Sequence, residues 1–330
     1  MAEIVLGMAL SHGPMLSTTP EQWTLRVPAD RAAKHPFHGL TWSFQELVEH
    51  RRNERFESQI TLDAMRVRHA ACQQALDRLA ETFAEVNPDV AVIFGNDQME
   101  IFNESLIPAF AVMWGSRIVN AEMTPDHLAK LPPGIAEAIP GHIPPGGATY
   151  KGAPDLGCHI IRSLMVESFD VAALKSFPIE KTPHAFGFIY RRVMRDEPVP
   201  SVPVLQNTFF PPNQPSARRC YDFGAAVARA IHTWNNDARV AVFASGGLSH
   251  FVIDEQLDRP FLDSLSKRSV VGITGLPKEL LQSGNSEIKN WIALSGAMAQ
   301  TDCAFSLVDY VPCYRSEAGT GTANAFACWR

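Results

Sequence analysis

The chain has no run of Lys or Arg, and its formal net charge is −6 over 330 residues. A basic footprint for nucleic acid is therefore missing. No apolar stretch reaches the roughly 18 residues that a membrane span needs, so no membrane partner is expected. The opening residues, 1–7, carry neither a basic region nor an apolar region of signal-peptide length. A secretory leader is not expected there. The six cysteines, at 72, 158, 220, 303, 313 and 328, form no C-x-x-C pair. That speaks against a thiolate metal cluster and for reduced thiols in a cytoplasmic protein. H-E-x-x-H, G-x-S-x-G, a helix-opening G-x-G-x-x-G and a fixed-period repeat are all absent. The glycine-rich stretch 319–324 reads as a turn and lacks the lysine of a P-loop.

Hydrophobic residues make up 46% of the chain, enough for a large core. Short apolar runs with the length of buried strands occur at 4–10, 90–94, 202–207 and 240–244. Helical spacing of apolar residues covers 54–85, 155–169 and 221–234, and a further helix is expected at 260–266. The alternation predicts one α/β domain over 1–330: a mixed central sheet flanked by helices, with the active site at strand ends. Residues 16–53 are irregular, with Trp23, Phe37, Trp42 and Phe44 among prolines and charges. They open a largely helical and irregular insertion, about 16–86, that would act as a lid. Residues 124–154, rich in proline and glycine, read as a long ordered loop.

Three strand ends deliver polar side chains into turns, where open α/β sheets place their chemistry. The first run leads into Ser11-His12-Gly13-Pro14, the second into Asn96-Asp97-Gln98, and the run at 240–244 into Gly246-Gly247-Leu248-Ser249-His250. His184 lies in a further loop, Thr182-Pro183-His184. Glu287 precedes an apolar run that Ser286 could cap, in a first turn that suits a carboxylate. Taken singly, each has a plain alternative: a solvated turn histidine, or a helix-start glutamate. Together they are what a mononuclear metal site could be built from.

In this order the motifs resemble those of the class III extradiol ring-cleavage dioxygenases. The likeness is nearest to the catalytic β subunits of protocatechuate 4,5-dioxygenases and their lignin-catabolic relatives. The resemblance runs from about residue 3 to the C-terminus. It implies a non-haem Fe(II) enzyme that opens a catechol-type, carboxylated, lignin-derived ring with O2, in a homodimer. By position it implies that His12 and Glu287 bind the metal, that His250 is the acid/base, and that His184 contacts substrate. The family's second metal histidine falls at Gln98, whose amide oxygen is a poorer donor to Fe(II) than imidazole. Asp97, Glu100 and His50 are the alternatives for that place. Arg191, Arg192 and Arg315 are candidates to hold a substrate carboxylate, of which Arg191 and Arg315 are preferred. Two other readings stay open: a same-fold partner subunit or metal-binding interaction protein without turnover, which Gln98 favours, and a metal-dependent hydrolase.

Overall fold

Val90, Val92 and Phe94 pack into one hydrophobic core, while Ala91 and Ile93 between them pack into a second core on the opposite face. Such near-continuous apolar runs belong to strands covered on both sides. The computed structural model describes residues 1–330. Its main sheet contains β1 (Glu3–Leu10), β2 (Val90–Gly95), β3 (Phe110–Met113), β4 (Ala172–Leu174), β5 (Ser201–Gln206), β6 (Arg239–Ser245), β7 (His250–Val252), β8 (Phe305–Tyr314) and β9 (Thr320–Trp329). Across the sheet the order is β7-β9-β1-β6-β2-β5-β3-β4, with β8 paired to β9. The central four, β1, β6, β2 and β5, run parallel, and antiparallel neighbours flank them. The sheet is thus mixed, as expected.

The parallel register brings Leu10 beside Ser245 and Ala244 beside Phe94. The residues that leave these strands, Ser11-His12, Gly246-Gly247 and Asn96, therefore emerge side by side at one edge. The long helix Leu62–Val86 packs on one face, and helices Ala217–Thr233 and Ile288–Met298 on the other. The latter two touch through glycines: a Cβ at Gly224 would lie 1.7 Å from the Ala293 carbonyl oxygen. Helix Ile288–Met298 carries Glu287 at its start, so this close approach also sets the depth of that carboxylate. Gly224→Ala should destabilise the fold by at least the ~1–3 kcal/mol typical of overpacking. Thermal or denaturant unfolding checks this, and an unchanged midpoint would contradict the packing described.

Several expectations need correction. Residues 319–324 are not a free turn: only Gly319 turns, with φ +72, and the following residues form the buried β9. The lack of polar alternation hid that strand, because it is covered on both faces. The helix expected from residue 54 begins at Leu62, after short 3-10 turns at Arg52–Glu54 and Phe56–Ser58. The helix expected at 260–266 begins earlier, at Glu255, where the Asp254 side chain caps it. Ser286 does not cap a helix; its hydroxyl is buried without a hydrogen-bond partner, and a 3-10 turn Ser283–Glu287 leads into the helix instead. His184 opens a short helix, His184–Phe188, rather than lying in a loop. The segment 124–154 contains a strand, Ala148–Lys151, paired with Arg117–Asn120. No helix is long and apolar enough to cross a membrane.

Candidate metal centre

His12 leaves β1, Gln98 follows β2, His250 opens β7 after the β6 turn, and Glu287 precedes its helix. All four, with His184, line one cavity of about 280 Å³ at the carboxyl ends of the parallel strands. Open α/β sheets bind ligands there. A second chamber of about 240 Å³ shares His12, Gln98 and His184 and is walled by Met123, Leu131, Ile135, Ala138 and Ile139. Segment Pro20–Arg26 supplies Gln22, Trp23 and Arg26 to the first cavity.

The hydrogen bonds fix how each histidine faces the cavity. Ser245 Oγ donates to the Ala185 carbonyl at 2.5 Å, so it accepts from His12 Nδ1 at 2.9 Å. The lone pair of His12 then sits on Nε2, 3.4 Å from Glu287 Oε2. His250 Nδ1 lies 2.8 Å from the Leu248 carbonyl, which can only accept. Its Nε2 is thereby free to take a proton, 3.6 Å from Glu287 Oε2. His184 Nδ1 is 2.5 Å from Glu100 Oε1, which leaves its Nε2 unengaged. The backbone N–H of His184 also donates to Glu100, at 3.1 Å. Carboxylates and carbonyls bonded to one imidazole nitrogen orient the other as a metal donor.

Glu287 is the centre of this network. Its Oε1 accepts from Asn96 Nδ2 at 3.1 Å and Gln98 Nε2 at 3.2 Å, and its Oε2 from the Gly247 N–H at 3.0 Å. Asn96 is held in turn by Asn290 Nδ2 at 2.8 Å, one helical turn beyond Glu287. Burial opposes the charge on Glu287, but His12 and His250 nearby outweigh it and hold the carboxyl well below its usual range. Burial pushes His12 down, against the pull of Glu287, so its ring is a neutral donor. Glu100 is held down to about 2: burial works against this, and the charge and hydrogen bond of His184 with Lys181 overcome it. Burial likewise lowers His184, but Glu100 reverses that and the net shift is upward. His142, beyond His184 at 5.9 Å between ring centres, is pushed down to about 3 chiefly by burial.

Donor atoms of His12, His184 and Glu287 all lie within 4.8 Å of one another. Two lone-pair bearers, His12 Nε2 and Glu287 Oε2, face each other in a buried site. A cation between them removes the conflict, so these residues fit a divalent metal. Gln98 lines the cavity as expected, but it points its amide nitrogen at Glu287 and braces the carboxylate. The other substitutes for that place are occupied elsewhere. Asp97 accepts the N–H groups of Glu100, Ile101 and Phe102; Glu100 holds His184; His50 stacks on Trp42 at 4.5 Å.

The arginines divide. Arg315 reaches the cavity, but its Nε and Nη2 are each committed to Asp30 at 2.7 Å. Arg191 lies outside both chambers and its nearest carboxylate is Asp196, at 3.6 Å. Arg192 is bonded to the Leu16 carbonyl and to Gln73. Sequence reasoning missed Arg26 and the supporting roles of Ser245, Asn290 and Glu100. Of these only Asn290 left a signal, three residues from Glu287 on the same helical face.

Fold and site together define an α/β protein with two histidines and one carboxylate clustered at the strand ends, His12 and Glu287 buried and His184 half-buried. The chain belongs to the family described as the catalytic LigB subunit of aromatic ring-opening dioxygenase, whose pattern it matches over residues 64–326. It is similar to the gallate dioxygenase of Pseudomonas putida, with 36% identity over 136 residues, covering 38% of each protein. The match thus spans well under half the length of that curated relative. An uncharacterized protein of Escherichia coli K12 superposes with a TM-score of 0.46 at 13% identity, over 77% of this chain and 91% of its own.

Proposed function

We propose that the chain opens a catechol ring beside its two hydroxyls, using O2, with Fe(II) held by His12, His184 and Glu287. The observation that carries this reading is the convergence of those three donors in a cavity-lining cluster, in a chain of the ring-opening family. Two imidazoles and one carboxylate are the donor set of non-haem Fe(II) oxygenases. When bound, Fe(II) would supply open coordination positions and Lewis acidity toward a substrate hydroxyl.

The chain's own residues do the rest. His250 Nε2 faces the cluster with its tautomer set by the Leu248 carbonyl, so it can take a proton from a catechol hydroxyl and return it as the ring opens. Gly247 keeps that ring close, since a Cβ there would lie 2.9 Å from His250 Nδ1. Glu100 aims His184, and Ser245 aims His12. Asn96, Gln98 and the Gly247 N–H fix the orientation of Glu287. The cavity, near the lower end of the ~300–1,000 Å³ usual for small-molecule sites, suits a single aromatic ring.

The test is anaerobic loading with Fe(II), then oxygen uptake on adding a catechol. Uptake that needs both iron and catechol is expected. Turnover without oxygen consumption would indicate hydrolysis instead, and no turnover with iron bound would indicate a non-catalytic role.

A further inference from the structure

We infer that Arg26 recognises an anionic substituent, a carboxylate, on the aromatic ring whose hydroxyls face His12, His184 and Glu287. The position of the hydroxyls rests on the reading above, whereas the anion subsite does not. Arg26 ends the 3-10 helix Pro20–Arg26 and lines the same cavity as the metal cluster. It is half-buried and has no carboxylate within ion-pair distance. The carboxylate whose charge reaches it, Asp30, is already taken by Arg315 on both oxygens and by the Thr320 hydroxyl at 2.7 Å.

The aliphatic stem of Arg26 is nevertheless held in place. A Cβ at Gly134 would lie 2.9 Å from both its Cγ and its Cδ, so the glycine makes room for the stem. Gly134 also lines the cavity. Arg315 stands beside Arg26 on the cavity wall; its Nη1 has only the Met15 sulfur, at 3.8 Å, as a partner. Burial, and then the charge of Arg315, weaken the hold of Arg26 on its proton. Two guanidinium groups on one wall, one of them without a counter-ion, repel each other until an anion enters. A planar carboxylate matches the guanidinium fork, and the small cavity favours it over larger anions.

The test compares 3,4-dihydroxybenzoate with its uncharged analogue 3,4-dihydroxybenzamide on the full chain. Binding is measured anaerobically by calorimetry, and turnover by oxygen uptake. Arg26→Met keeps the stem over Gly134 and removes the charge. It should weaken binding of the benzoate, and raise its KM, by roughly tenfold to a hundredfold, as expected for a hydrogen-bonded charge. The benzamide constants and both kcat values should stay nearly unchanged. Arg26→Lys should recover part of the loss. Equal weakening of both ligands, or no weakening of the benzoate, would overturn the proposal. Should Arg26→Met fail to fold, benzoate itself, which lacks the hydroxyls, should compete on the wild-type chain where benzamide does not; equal competition would again overturn it. A benzoate-specific loss in a protein that never consumes oxygen would sink the ring-cleavage reading and leave the subsite standing. Iron-dependent oxygen uptake whose benzoate KM is indifferent to Arg26→Met would do the reverse.

Discussion

Glu287→Ala should abolish tight Fe(II) binding and ring cleavage together. The carboxylate is the one charged donor of the cluster, and its oxygens gather Asn96, Gln98, Gly247, His12 and His250. His12→Ala should behave alike. Loss of either should cost more than the ~10–100-fold in metal affinity that removal of a supporting residue causes. The same titration identifies the third donor. His184→Ala should fall with His12→Ala, while Gln98→Ala, which removes only a brace on Glu287, should stay within that smaller range. Gln98→His should then leave affinity nearly unchanged. A Gln98→Ala protein that loses iron as fully as His12→Ala, beside a His184→Ala protein that keeps it, would return position 98 to the metal.

His250→Phe should keep its iron and lose turnover by about 10²–10⁴-fold, the range of a general acid–base group. The phenylalanine ring is close to the imidazole in size and fits against Gly247, but it offers no proton acceptor at the Nε2 position. Iron content and oxygen uptake of the purified variant separate the roles. Iron lost and turnover regained on reloading would make His250 a ligand rather than the base.

The strand ends were legible in the sequence because parallel strands covered on both faces write themselves as unbroken apolar runs, and glycines mark the turns behind them. That logic placed His12, Asn96, Gln98 and His250 at one edge of the sheet. The resemblance placed His184 and Glu287 with them, although their positions depend on chain crossings that local pattern does not encode. The same burial that exposed the central strands concealed β9, whose small and aromatic residues read as a turn. That Gln98 braces Glu287 while His184 keeps a free Nε2 could not be read from residue types. The free Nε2 depends on Glu100, whose reach to His184 links residues 84 positions apart. Nor could the arginines be sorted in advance. Arg315 is tied to Asp30, 285 residues away, and only in three dimensions does Arg26 emerge as the unpaired cation of the cavity.

The most direct test of the central claim is the fate of isotopically labelled oxygen. The Fe(II)-loaded protein is given a catechol under ¹⁸O₂, and the ring-opened product is weighed by mass spectrometry against a reaction in labelled water. Both atoms of one O2 molecule should appear in the product, with one O2 consumed per ring, no reaction in the Glu287→Ala control and only the residual rate in His250→Phe. Label entering only from water, or a product formed without oxygen consumption, would contradict the account.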